Sequence, residues 1–246
     1  MDRLIYVAMS GAKHTMLQQA TVANNLANLT TTGFRAQNVA FRAAPVLGEG
    51  MPTRAFVVDS TPGSDFRPGA VQHTNRDLDV AIEGRGWIAV QAADGSEAYT
   101  RAGSFDISGN GVLQTRSGLS VLGDGGPISI PPDTRVSIGR DGTVSTVPAG
   151  NRPSQVTSLG RIKLVNPEES QLVRGADGLF RLSSGATAAP DPQVKLIGGA
   201  LEGSNVNAVD AMVGMIALAR QFEMQMRMMQ NAESNARAAD QLVSAR

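Results

Sequence analysis

A chain of 246 residues, 41% of them hydrophobic, can bury the core of one large domain or two small ones, which excludes a disordered chain. Its 22 basic and 22 acidic side chains cancel, and no basic stripe runs along the sequence, which excludes a nucleic-acid partner held by a row of phosphate contacts. The absence of cysteine excludes thiol catalysis, zinc–thiolate sites and disulfides.

No apolar run approaches the roughly 18 residues of a bilayer-spanning helix, so direct membrane insertion is not expected. The short run from Leu4 to Met9 falls below the roughly 7–15 apolar residues of a signal peptide, and no cleaved signal is expected. From Asp2 to about Leu29 a heptad threads Ile5, Met9, Ala12, Met16, Gln19, Ala23 and Leu26, which predicts an amphipathic helix with that face buried. Thr30 to Thr32 lower helix propensity, and Gly33 suits the left-handed position just past a helix end. Asn24, Asn25 and Asn28 form a polar band where the last helical carbonyls need donors. They serve either as ordinary capping or as register-setting amides between helices of neighbouring subunits.

Residues 34 to 75 carry Pro45, Pro52, Pro62 and Pro68 between short extended pieces such as Ala55 to Val58, the pattern of a connector. From Asp77 to about Ile197, β-rich runs alternate with Asp94-Gly95, Asn110-Gly111, Asp124-Gly125-Gly126, Asp141-Gly142 and Asp177-Gly178. Leu78 to Ile82, Trp87 to Val90, Ile128 to Ile130 and Val194 to Ile197 read as strands of an antiparallel sheet or small barrel.

Asn207 is placed to cap a long C-terminal helix, with Asp210 completing a capping box. Ala208, Ala211, Met215, Leu218, Phe222, Gln225, Met229, Ala232, Ala236, Ala239 and Val243 keep a strict four-three spacing. Val209, Met212, Val213, Ile216, Ala219 and Met226 widen that stripe. The helix is roughly 55 Å long at 1.5 Å per residue. The fold class expected is therefore α+β: terminal helices paired as a coiled coil, with a mainly antiparallel β domain between them. The expected boundaries are residues 1–32 with 205–246 for the helical domain, 33–76 for the connector and 77–204 for the β domain. The surplus apolar face of the long helix calls for burial by neighbouring subunits.

Chemistry is hard to find. His14 and His73 have no serine or carboxylate in a catalytic order around them. Asp77 and Asp79 share a strand face, better read as solvated than as an acid–base pair. The stretch Asp106 to Gly111 resembles half a calcium loop but has Ser117 where a bidentate Glu is needed, and Gly84-Arg85-Gly86 lacks the third glycine of a phosphate fingerprint. No catalytic residue, metal site or cofactor is expected. The cluster Met212, Met215, Met224, Met226, Met228 and Met229 suits a helix that meets several non-equivalent neighbours.

Four blocks nevertheless stand out in order: "ANNLANLTTTGFR" (residues 23–35), "LDVAIEGRGW" (78–87), "YTRAGSF" (99–105) and "LEGSNVNAVDAMVGMI" (201–216). Together they resemble the signature blocks of bacterial flagellar rod and hook proteins across nearly the whole chain. "MDRLIY", "GFRAQ", "GWIAVQ" and "RQFEMQMRMM" resemble a proximal-rod member more than a distal-rod one. Thr30 stands where many members carry Asn, and Arg35 where many carry Lys.

The resemblance implies an inner layer of paired terminal helices with a β domain outside it. It further implies export through the flagellar type III apparatus and assembly, with itself and other rod proteins, into the periplasmic rod of the basal body that transmits motor torque. Under this reading the contact residues are Ile5, Met9, Met16, Asn24, Asn25, Leu26, Asn28, Gly33, Phe34, Asn205, Asn207, Val209, Met212, Met215, Ile216, Leu218, Phe222, Met226 and Met229. Terminal helices that become fully ordered only when neighbours cover them would couple folding to assembly.

Overall fold

A computed structural model describes residues 2–45, 55–59, 63–148 and 156–244. It contains an N-terminal helix α1 (Asp2–Ala27), a C-terminal helix α2 (Ala208–Ser244) and, between them, a middle of short strands whose pairings are all antiparallel. Pro52 and Pro62 of the expected connector, and the side chains of Ala239 and Val243, lie outside the described residues.

The chain forms two compact units. A helical unit comprises Met1–Leu29, Ala36–Asp65 and Val206–Arg246; a β unit comprises Thr30–Arg35 and Phe66–Asn205. In the helical unit α1 lies against α2, accompanied by the pairs Phe41–Pro45 with Ala55–Asp59 and Gln37–Asn38 with Gly63–Ser64. The packed face of α1 differs from the heptad expected for it. Ala12 is buried and Ile5, Gln19 and Leu26 are half-buried as expected, but Met9, Met16 and Ala23 are exposed, and Ala8 and Thr15 are buried instead. Small side chains let another element come close. A Cβ added at Gly11 would meet the Gln225 amide of α2 at 3.0 Å. Thr15 Oγ1 donates to the Gly11 carbonyl at 2.9 Å, so its hydroxyl is satisfied within the helix. On the same helix His14 is buried edge-on to Phe41, 5.2 Å between ring centres. Both methionines face out, and alanine, glycine and threonine form the contact.

For α2 the four-three stripe holds. Met215, Leu218, Phe222, Gln225 and Met229 are half-buried and Ala232 is buried, whereas Val209, Met212, Val213, Ile216 and Met226 are exposed.

The β unit is organised around a five-stranded sheet, in the order Leu164–Val165, Trp87–Gln91, Glu97–Thr100, Phe180–Leu182, Leu172–Arg174. Successive side chains of a strand point to opposite faces. Ile88 and Val90 therefore join one core with Val80, Phe105, Leu113 and Leu196, while Trp87 and Ala89 join a second with Tyr99, Val165 and Phe180. Because both faces are covered, residues 87–90 of this strand read as a continuous apolar run rather than an alternation. Smaller antiparallel groups complete the unit: Thr134–Ile138, Thr143–Pro148 and Thr157–Arg161 in one, and Val80–Glu83 with Lys195–Gly198 in another. Ile128 to Ile130, expected as a strand, makes only an isolated bridge from Ser129 to Val112, although Ile128 and Ile130 are buried.

The Asp-Gly signals mark real turns. Gly95, Gly142 and Gly178 sit at φ of 82°, 84° and 81°, where a side chain is strained. The preceding Asp94, Asp141 and Asp177 each accept the backbone N–H two residues on, at 2.9 to 3.1 Å. Hydrogen bonds from Ser96, from Thr143 and from Arg181, respectively, hold these three carboxyls below the ordinary aspartate range.

Tyr99 ties the second core to a distant loop. Its hydroxyl donates to Glu97 Oε1 at 3.0 Å and accepts the Ala188 N–H at 2.6 Å, while Glu97 pairs with Lys163 at 2.8 Å. Burial, reinforced by the Glu97 carboxylate, pushes the Tyr99 phenol up to about 12. An acid whose pKa is raised on folding stabilises the protein fully below its unfolded pKa, about 10 for tyrosine, and loses that contribution as pH climbs through the folded value. In a Tyr6→Phe background, which leaves Tyr99 as the one tyrosine, tyrosinate absorbance is expected to rise only near pH 12. Alkaline denaturation curves should lose their slope between about pH 10 and 12 when Tyr99→Phe is added.

Candidate functional site

Three of the blocks singled out in the sequence meet inside the β unit. Arg35 Nη1 pairs with Glu202 Oε1 at 2.7 Å, and Arg101 Nε lies 3.4 Å from Glu202 Oε2. Arg35 and Glu202 are each 1% exposed and Arg101 is 4% exposed. Glu202 Oε1 also accepts the Gly69 N–H at 2.9 Å, Arg35 Nη1 donates to the Arg67 carbonyl at 2.9 Å, and Arg101 Nη2 donates to the Gly84 carbonyl at 2.6 Å. Burial pushes the Arg101 guanidinium down to about 10, partly offset by Glu202 and reinforced by its neighbour Arg35, so it remains charged at neutral pH.

The backbone brings these charges together. Gly33 donates its N–H to the Glu202 carbonyl at 2.8 Å and sits at φ of 69°, where a Cβ would lie 2.3 Å from the Arg101 carbonyl carbon. Here glycine serves a close approach between two segments rather than a helix cap, since α1 ends at Ala27, earlier than expected. Phe34 is buried beneath the Arg174 guanidinium, 4.5 Å from its ring centre, and Arg174 donates to the Arg35 carbonyl at 2.8 Å. Burial lowers the pKa of Arg174. Trp87, Phe180 and Phe66 extend the stack, with Arg101 over the Trp87 ring at 5.7 Å. Asn205 closes the site: its backbone N–H donates to the Phe34 carbonyl at 3.3 Å and its amide to the Arg67 carbonyl at 3.0 Å.

The asparagine band has a local explanation. Asn25 Nδ2 donates to the Gln37 carbonyl at 2.9 Å and Asn25 Oδ1 accepts the Gln37 N–H at 2.8 Å, so its amide pairs with a peptide group as a strand would. Asn28 Nδ2 donates at 2.9 Å to the Asn24 carbonyl, which also accepts the Asn28 backbone N–H at 3.1 Å. Asn207 caps α2, its Oδ1 accepting the Val209 N–H at 3.0 Å. Leu26 and Ile5 are half-buried, and Asn24 is exposed.

Two sets of candidate contact residues therefore separate by orientation. Met215, Leu218, Phe222 and Met229 are partly covered within the chain. Val209 at 67%, Met212 at 52%, Ile216 at 56% and Met226 on α2, with Met9 at 53% and Met16 at 58% on α1, present apolar surface outward.

The residues weighed for catalysis are otherwise engaged or solvated. Asp79 is buried and accepts from Thr74 at 2.8 Å, Arg76 at 3.2 Å and Ser104 at 3.1 Å. Asp77 is exposed, and His73 lies exposed on the strand Val71–His73. Asp106 of the calcium-like stretch pairs with Arg76. The ion cluster was not foreseen. Its signal was present as a charged residue inside each block, in "GFR", "TRAG" and "LEG", but their meeting is a property of the fold.

Comparison with known proteins accounts for these blocks. Residues 5–35 match the family model described as flagella basal body rod protein, residues 81–146 the flagellar hook protein FlgE/F/G D1 domain, and residues 197–242 the flagellar basal body rod FlgEFG protein C-terminal region. The chain is 50% identical to the flagellar basal-body rod protein FlgF of Escherichia coli (strain K12) and 48% identical to that of Salmonella typhimurium, with 99% of each chain covered in both comparisons. It is 34% identical to the flagellar basal-body rod protein FlgG of Bacillus subtilis, over 91% of this chain and 92% of that one.

Each matched region supplies one member of the ion cluster: Arg35, Arg101 and Glu202. Removing the carboxylate strands two buried guanidiniums. Glu202→Ala is expected to destabilise the β unit by about 3–5 kcal/mol, read as a lowered urea midpoint of the near-ultraviolet signal from Trp87. A midpoint unchanged from the parent would show that the cluster does not hold the unit together.

Proposed function

The chain belongs to the FlgF family of flagellar basal-body rod proteins, and from that premise we propose that it is a structural subunit of the proximal rod, polymerising with itself and with neighbouring rod proteins. The observation that carries the reading is the second apolar face of α2. One stripe is partly covered inside the chain while Val209, Met212, Val213 and Ile216, spaced three and four apart, stay exposed. Scattered apolar residues on a surface need no explanation, but a stripe along two helical turns calls for a partner. The higher identity to FlgF than to FlgG proteins favours the proximal over the distal rod.

In this reading the terminal helices pair as a coiled coil and line the inner layer, forming the export channel wall. Their small-residue contact, with Ala8, Gly11, Ala12 and Thr15 on α1, lets the backbones approach closely. The β unit gives each subunit a rigid body through which torque passes across the periplasm. Subunits are exported through the flagellar type III apparatus without a cleaved signal, unfolded, and their helices become fully ordered as neighbours cover the outward stripe. The role is structural rather than catalytic.

Val213→Asp tests the outward stripe. Val213 is 60% exposed, so the purified chain should keep its stability to within about 0.5 kcal/mol. Basal bodies isolated from cells carrying only the variant should lack a complete rod, and swimming in soft agar should be lost. Complete rods with the variant incorporated would refute the assigned stripe.

A further inference from the structure

Beside the ion cluster the β unit holds a cavity of about 150 Å³, lined by Arg35, Arg101, Trp87 and Phe66, with Arg85, Glu168 and Glu169 among its other walls. Within the cluster two guanidiniums share one carboxylate, so one buried positive charge has no counterpart. Four donors, Arg35 Nε and Nη2 and Arg101 Nε and Nη1, against one acceptor, Glu202 Oε2, are buried in the cluster without a hydrogen bond among the described residues. Such donors are costly when left without an acceptor.

The geometry points to an anion site in this cavity that takes a single carboxylate group, held by Arg35 and Arg101. The choice of anion follows from charge and shape. One uncompensated positive charge matches a monoanion. A planar carboxylate presents two oxygens to a guanidinium fork. The acidic Glu168 and Glu169 beside the cavity oppose a dianion such as phosphate more strongly than a monoanion, and the exposed Arg85 draws the anion toward Arg35 and Arg101. The apolar rings of Trp87 and Phe66 leave room for the methyl or methylene that carries the carboxylate. That group comes either from a free small acid or from an acidic side chain of a second copy of this chain. The site itself does not depend on the rod assignment.

Calorimetric titration of the purified full-length chain with sodium acetate, against sodium chloride at equal ionic strength, tests the proposal. Acetate is expected to bind and to raise the thermal midpoint where chloride does not, with inorganic phosphate binding more weakly than acetate. Arg101→Gln should weaken acetate binding about tenfold or more, the loss of one charge-assisted hydrogen bond. Should that variant fail to fold, Arg85→Gln, altered at an exposed position, is expected to weaken binding with the circular dichroism unchanged. Acetate behaving like chloride, or an affinity the same in the parent and in both folded variants, would overturn the site. Sedimentation separates the two sources. If acetate disperses self-associated chain and Arg101→Gln does the same, the carboxylate belongs to a second copy. If acetate binds with self-association unchanged, the ligand is a free acid.

Discussion

Everything in the β unit that involves the first residues after α1 depends on a carboxylate with two claimants. Glu202 accepts from Arg35 at 2.7 Å and faces Arg101 at 3.4 Å, all three groups withdrawn from water. A buried ion pair gains little over an apolar pair of the same shape, because desolvation offsets most of the attraction. In this placement Thr30–Arg35 brings Arg35 to Glu202, and a shift of the segment would separate the buried charges. The contacts around it obey the same requirement. Gly33 reaches the Glu202 carbonyl, Phe34 lies under Arg174, and Asn205 returns to the Phe34 carbonyl. Segments from the two ends of the chain are thus held in one register by groups that cannot tolerate a slip.

In the helical unit the governing constraint is size. Helices approach most closely where side chains are smallest, and the contact face of α1 uses alanine, glycine and threonine for that purpose. The larger methionines then fall on the outside. An unbranched thioether side chain adapts to irregular surfaces. The family membership and this division of faces agree with one another, though they come from independent observations.

Local chemistry was the most legible part of the sequence. The span of α2, its Asn207 cap and the Asp-Gly turns are decided by residues a few positions apart, and the structure shows them where spacing predicts. In α1 a heptad rule ranks Met9 and Met16 above Ala8 and Thr15, whereas close helix contact favours the reverse. Ile128 to Ile130 has the composition of a strand, but only Ser129 finds a bridging partner. The ion cluster was invisible for another reason. Arg35, Arg101 and Glu202 are far apart along the chain, and nothing in composition or period indicates that charged residues will be brought together and buried. Sequence blocks located the residues; the fold supplied the chemistry that joins them.

The pairing of Asn25 with Gln37 restricts what evolution can place near the end of α1. The side chain offers one donor and one acceptor at the spacing of a peptide group, at 2.9 and 2.8 Å. Aspartate has the length but no donor; glutamine has both groups but one methylene too many; serine is too short to present both at once. A position that looks like an ordinary polar residue on a helix surface is, in effect, open to a single amino acid, and its neighbour Gln37 participates through the backbone alone, leaving the identity of that side chain free to vary.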